Sequence, residues 1–232
     1  MVQGEVLVRE AAACAFAMTM VIARESDAHL LARTEAANAD EFWLLDDKVF
    51  DSLNDTVTPQ GILAVCRMPS LGRSLAEVDG WILVADRVAD PGNLGTILRT
   101  AEAAGAAALV VTAGTVDAFS PKSVRASAGA ILHVPVHSLP DLRSVRESGF
   151  RLVGTTSHLG PNVQQLWDVD FGGRVALVVG NEAHGLDRDA PLDVLASIPH
   201  VGRAESMNVG MATAVAAIQV ARWRQMSPRS AN

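Results

Sequence analysis

Val175-Ala-Leu-Val-Val179, followed at once by Gly180-Asn-Glu-Ala-His-Gly-Leu186, is an apolar run with no polar side chain that ends between two glycines. A run this short, rich in β-branched residues and closed by a turn, reads as a strand buried on both faces. Three others match it: WILVA at 81–85, ALVV at 108–111 and RLVGT at 151–155, with helical stretches between them. Buried strands alternating with helices predict an α/β fold built on a parallel sheet. In an open sheet of that kind, ligands collect at the carboxyl ends of the strands. The loops after these runs are therefore where chemistry is expected.

Ahead of the first run the pattern is different. Residues 4–12 read as a helix, 18–23 as a strand and 26–38 as a helix with Ser26 and Asp27 as N-cap candidates. Residues 42–45 then read as a strand, 47–53 as a short helix and 61–66 as a strand. This predicts a small α/β domain over 1–68. Pro69, Gly72 and Gly80 punctuate an aperiodic stretch that reads as a linker over 69–80, leaving 81–232 as the larger domain.

The 232 residues are 49% hydrophobic and 19% charged, which excludes a disordered or fibrous chain. No apolar run approaches membrane-spanning length. The run 11–23 follows Glu5 and Glu10 rather than a basic segment, so it does not read as a signal peptide. Cys14 and Cys66 sit in apolar contexts without C-x-x-C spacing, which suggests buried thiols in a reducing cytoplasm. The net charge of -7 is uneven. Residues 1–70 carry five Lys+Arg against eleven Asp+Glu, while residues 71–232 carry fourteen against fifteen. Such a balance argues against a nonspecific nucleic-acid coat, because phosphate binding needs clustered cations.

Three loops carry the candidate groups. The first, 86–99, has glycines at 92 and 95 rather than in G-x-G-x-x-G, so it does not read as a dinucleotide site. It runs into an expected helix over 93–104, with Asn93 near the N-cap and Arg99 nearly two turns in. On position alone Arg99 reads as a surface arginine whose stem lies on the sheet-packed helix. The second is the 179–186 loop, where Gly180 and Gly185 permit close backbone approach and Glu182 stands at a strand end. The third, 198–208, leads into an apolar helix over 209–223, with Ser206 and Asn208 both of N-cap type. His133 and His137 flank Pro135, which rules out a helical metal pair, and no nucleophile elbow, P-loop or kinase motif appears. Metal-free chemistry on a small-molecule ligand is what these residues leave.

Taken in order, N-L-G-T-I-L-R-T-A-E-A-A-G (93–105), L-V-V-G-N-E-A-H-G-L (177–186) and I-P-H-V-G-R-A-E-S-M-N-V (198–209) resemble the three motifs of the SpoU (TrmH) family of the SPOUT superfamily. Its members are S-adenosylmethionine-dependent RNA ribose 2'-O-methyltransferases. The stretch 120–130 and the stretch V-T-P-Q-G-I-L-A-V (57–65) also resemble the family, the latter at the end of its small substrate-binding domain. The resemblance implies a parallel sheet with a C-terminal trefoil knot, a cytoplasmic homodimer, and RNA as partner, with no metal and no membrane. Ribosomal RNA comes first as substrate; tRNA, or a catalytically silent RNA-binding or assembly role, are the alternatives. It implies S-adenosylmethionine at Gly180, Ile198 and Met207 with Glu182 nearby, a catalytic group of Asn93, Arg99, Ser206 and Asn208, and RNA contacts from Lys122 and Arg125. The dimer is expected through the 209–223 and 93–104 helices, where Met211, Val215, Ile218 and Arg222 recur at helical spacing. A guanidinium is a poor base, so Arg99 is expected to clamp phosphate and stabilise developing alkoxide charge. Ala183, His184 and His200 depart from the family's usual residues, and the acidic 1–70 segment lacks the basic extension many members carry.

Overall fold

The structure, a computed structural model, describes residues 1–34, 39–53, 60–69, 74–200 and 202–227. The chain divides into two compact units, Met1–Ser70 and Leu71–Asn232.

The first unit holds a four-stranded mixed sheet. Its strands are β1 (Val2–Gln3), β2 (Met18–Arg24), β3 (Glu41–Leu45) and β4 (Ile62–Cys66), in the order β1-β4-β2-β3. β3 runs parallel to β2, whereas β4 is antiparallel to both β2 and β1. Helices α1 (Glu5–Ala13), α2 (His29–Arg33) and α3 (Asp47–Ser52) complete it, and Val8, Ala11, Val21, Phe50, Ile62 and Leu63 form its interior. The helix expected over 26–38 starts later than its sequence suggests. A 3-10 turn occupies Glu25–Asp27, and neither Ser26 nor Asp27 caps the helix with its side chain. Asp27 instead pairs locally with Arg24 at 3.8 Å, and the Ser26 backbone amide donates to Asp47 Oδ1 at 3.2 Å. Residues 35–38 of that expected helix, 57–59 of the family-like stretch and 70–73 of the expected linker lie outside the described residues. Cys14 and Cys66 are unbridged but half-buried rather than buried, and burial pushes the Cys66 thiol upward despite the nearby N-terminal ammonium.

The second unit is a seven-stranded sheet in which every pair is parallel. Its strands are β5 (Trp81–Ala85), β6 (Leu109–Thr112), β7 (Val136–Leu139), β8 (Arg151–Thr156), β9 (Val163–Gln165), β10 (Val175–Val179) and β11 (Val194–Ser197). The order is β7-β6-β5-β10-β8-β11-β9. β5 and β10 pair with each other and are buried along their whole lengths, which is what the uninterrupted apolar runs encode. Helices α4 (Pro91–Ala103), α5 (Pro121–Ala126), α6 (Leu142–Glu147) and α7 (Val209–Met226) connect or follow the strands. Leu75 and Val78, in the segment expected to be a linker, pack into this unit's core. The Arg174 guanidinium, lying over the Phe150 ring, donates to the carbonyls of Leu75, Ala76 and Val78 and so ties residues 75–78 down.

On α7 the small side chains Thr213, Ala216, Ala217 and Val220 turn inward at helical spacing. Met211, Val215 and Ile218 lie on the outer side and are 65%, 38% and 53% exposed, so core packing does not account for them. Gly210 lets α7 press against α4: a Cβ at that position would stand 2.9 Å from Thr96 Cγ2. That approach brings the first turn of α7 beside the first turns of α4.

Candidate active site

The turn between β5 and α4 is fixed first by local chemistry. Asp90 is the N-cap of α4, its carboxylate accepting from the Asn93 amide at 2.8 Å, and Pro91 occupies the first helical position, where its missing N–H costs nothing. The cap is therefore Asp90, three residues before the Asn93 expected from sequence. The Asn93 side chain is thereby freed for other partners. Arg99 falls a little over two turns into the helix, exposed, and no described residue pairs with its guanidinium.

Glu182, just beyond β10, reaches across to this turn. Its carboxylate accepts from the amides of Ala89 and Asp90, each at 3.2 Å, and from Asn93 Nδ2 at 2.9 Å. Asn93 Oδ1 in turn accepts from Asn208 Nδ2 at 3.0 Å. Asn208 caps α7, its Oδ1 accepting from the amides of Gly210 and Met211. One hydrogen-bond chain, Glu182 to Asn93 to Asn208, thus joins all three sequence motifs. It also settles which helix-entry residue is the cap: Asn208, leaving the exposed Ser206 hydroxyl uncommitted among the described residues. Burial pushes the Glu182 carboxyl up. The hydrogen bonds from Asn93, its own amide, Ala89 and Asp90 outweigh that and hold it below the ordinary carboxylate range.

A group whose folded pKa is depressed stabilises the fold above its unfolded pKa and loses that contribution as pH falls through the folded value. Wild type should therefore exceed Glu182→Gln in thermal stability at neutral pH by about 1 kcal/mol, allowing for solvent screening. The difference should shrink only below the ordinary carboxylate range. Melting curves of the two proteins across the acid range check this, and a difference that is constant with pH contradicts it.

Residues that sequence reasoning passed over lock the same loop. Asn181 accepts from the amides of Ala183 and His184 and donates to the Arg87 carbonyl at 2.9 Å. Arg87 is held at φ 56° and pairs with Asp86 at 3.1 Å and Asp187 at 2.8 Å. The Asp187 hydrogen bond strengthens its hold on the proton. Asn in a glycine-bounded turn and Asp before Pro are both readable signals for these roles. His200, an unusual residue for its motif, braces the third loop, with its ring nitrogens 3.1 Å from the Ile198 carbonyl and 2.9 Å from that of Ala204.

Gly180 is buried at the end of β10, while Ile198 and Met207 are half-buried at the end of β11 and before α7. A Cβ at Gly180 would stand 2.5 Å from the Gly185 carbonyl carbon and 2.7 Å from the Leu186 amide. The bare backbone there is required by the loop folding back on itself, whether or not a ligand approaches. Lys122 is exposed and Arg125 half-buried on α5, which packs against α4. A cleft of about 330 Å³ lies at the ends of β5, β6 and β7, lined by Asp86, Arg87, Thr112, Asp141, Arg143 and Asp187 among others. None of the sequence-predicted site residues lines it. The expected ligand residues Gly180, Ile198 and Met207 lie instead at the ends of β10 and β11 and just before α7.

A family model described as the SpoU rRNA Methylase family matches residues 80–218, more than half of the chain. The chain belongs to that family. It is 38% identical over 178 residues to the 23S rRNA (guanosine(2553)-2'-O)-methyltransferase RlmP of Bacillus subtilis, covering 75% of this chain and 69% of the relative. With the 23S rRNA (guanosine-2'-O-)-methyltransferase RlmB of Ralstonia nicotianae it shares 33% over 195 residues, 79% of this chain and 77% of the other. Among solved structures, the SpoU methyltransferase AviRb from Streptomyces viridochromogenes, in complex with the cofactor AdoMet, superposes with a TM-score of 0.84 at 27% identity. That match covers 97% of this chain and 90% of AviRb.

Proposed function

We propose that this protein methylates ribosomal RNA, and that the joined loops described above are its catalytic centre. It is an S-adenosylmethionine-dependent RNA ribose 2'-O-methyltransferase. The observation that carries the site assignment is the Glu182–Asn93–Asn208 chain, which fastens three separate motifs into one rigid edge and leaves Arg99 and Ser206 free to act.

S-adenosylmethionine, when bound, supplies a methyl group already activated on a sulfonium. The residues at the ends of β10 and β11 suit such a ligand, because half-buried Ile198 and Met207 offer apolar surface there, while the Glu182 carboxylate is engaged by Ala89, Asp90 and Asn93 and the His200 ring by the carbonyls of Ile198 and Ala204. Gly180 holds the loop in the shape that forms the floor, and Glu182 positions it rather than touching the ligand. A ribose 2'-hydroxyl is a very weak acid, so the protein's task is to align the oxygen and stabilise the charge it gains. Arg99, exposed and unpaired among the described residues, clamps an RNA phosphate and stabilises that charge in this reading; Ser206 orients the hydroxyl. Asn93 and Asn208 fix the helix ends that carry these groups. Lys122 and Arg125 add phosphate contacts from the neighbouring helix.

The outer stripe Met211, Val215 and Ile218 on α7, with Arg222 beyond it, supports a homodimer. Sedimentation at micromolar concentration should give twice the chain mass of 24.4 kDa, and Ile218→Glu should return it to a monomer. A wild-type monomer contradicts the dimer. The strand order supports a knotted C-terminus, since β11 lies outside β8 while α7 returns to β10 and α4. Calorimetry with S-adenosylmethionine and its demethylated product tests the ligand assignment: saturable binding of both is expected. A folded sample that binds neither removes it.

A further inference from the structure

The small unit presents a surface that holds none of the residues assigned above to methyl transfer. β3 is an edge strand: among the described residues it pairs with β2 alone, and no strand takes up the backbone amides and carbonyls of its outer side. Phe42, Trp43 and Leu44 are 47%, 50% and 49% exposed, which places apolar side chains on both faces of that edge. Val49 on α3 and Leu53 at its C-cap, which follow β3 in the chain, are likewise about half exposed. Exposed apolar edges are rare because they invite pairing with another chain.

The charge around this edge selects the partner. Residues 39–53 carry five acids and one cation, Lys48; Asp40 and Asp51 are paired with Arg67 and Arg24, which leaves Glu41 and Asp46 at the two ends of β3, with Asp47, as the acids outside those pairs. Glu41 accepts from the Trp43 indole N–H at 2.9 Å, placing a carboxylate beside the ring. A phosphate approaching the ring to stack a base would meet that carboxylate; an arginine or lysine would find both a π face and a counter-charge. We propose that the β3 edge docks an extended, arginine- or lysine-rich peptide segment of another protein, which adds as a strand and seats apolar residues between its cations. Backbone pairing supplies the affinity, and the alternation of apolar and basic residues supplies the selectivity.

A fluorescein-labelled peptide of alternating arginine and valine, titrated with the full chain and read by anisotropy, tests this. Saturable, salt-sensitive binding is expected, weakened about tenfold or more by Leu44→Lys and by Glu41→Lys. Both substitutions lie on exposed positions, so circular dichroism and S-adenosylmethionine binding should match wild type and report an intact fold. A peptide with glutamate in place of arginine should not bind. The proposal is overturned if the basic peptide fails to bind, if the acidic one binds equally, or if both variants leave binding unchanged. It is likewise overturned if a single-stranded RNA probe binds the chain and Trp43→Ala abolishes it, or if sedimentation shows this edge buried in a dimer that Leu44→Lys dissociates.

Discussion

Arg99→Ala should lose about a hundredfold in methyl transfer while its affinity for S-adenosylmethionine and its melting temperature stay near wild type. The side chain is exposed and no described residue pairs with it, so truncation breaks no hydrogen bond or ion pair among the described residues. A contact made mainly while the 2'-oxygen gains charge is worth roughly 3 kcal/mol when removed. Arg99→Lys should restore little, because an ammonium is a point charge and cannot offer the two parallel donors of a guanidinium to a phosphate. Single-turnover kinetics on saturated enzyme separate this from weakened binding. An alanine variant with wild-type turnover would return Arg99 to an ordinary surface position on α4.

The second large effect is expected at Gly180. Even alanine there should disable the protein, since its single methyl would stand 2.5 Å from the carbonyl carbon of Gly185, in backbone that cannot swing aside as a side chain would. Relief requires the 180–186 loop to open. That movement would pull Glu182 away from Ala89, Asp90 and Asn93 and Asn181 away from Arg87. Overpacking of this kind costs about 1 to 3 kcal/mol, enough for a tenfold or greater loss of S-adenosylmethionine affinity if the loop alone absorbs it. Valine should be no more informative than alanine, because the first clash is with the loop itself. Calorimetry on Gly180→Ala showing unchanged affinity would mean that the loop can reshape without disturbing the site.

The sheet was legible in sequence where burial is most complete. The runs at 81–85 and 175–179 are uninterrupted because β5 and β10 are central and buried along their whole lengths, and β8 beside them keeps a buried Leu152–Gly154 core between half-buried ends. β7, β9 and β11 carry polar residues such as His137, Gln164 and Ser197 toward the sheet margins, and their short mixed sequences gave no periodic signal. At the helix starts, composition alone could not decide between adjacent candidates. Asp90 and Asn93 are both of cap type, as are Ser206 and Asn208, and the capping bonds themselves separate them: Asp90 accepts from the Asn93 amide and Asn208 from the amides of Gly210 and Met211. The three motifs were legible as loops at strand ends, but their union was not, since residues 93, 182 and 208 meet through hydrogen bonds that span 89 and 115 positions of chain.

Incubation of unmodified ribosomal RNA with the protein and methyl-labelled S-adenosylmethionine, followed by alkaline hydrolysis, tests the central claim most directly. Alkali cleaves RNA through attack by the 2'-oxygen on the adjacent phosphate, so a methylated 2'-oxygen protects its own linkage. The label should emerge in alkali-stable dinucleotides, and Arg99→Ala should leave them nearly unlabelled. Label confined to mononucleotides would place the methyl group on a base, and no label from a folded protein that binds S-adenosylmethionine would mean that the assembled loops do not transfer a methyl to this RNA.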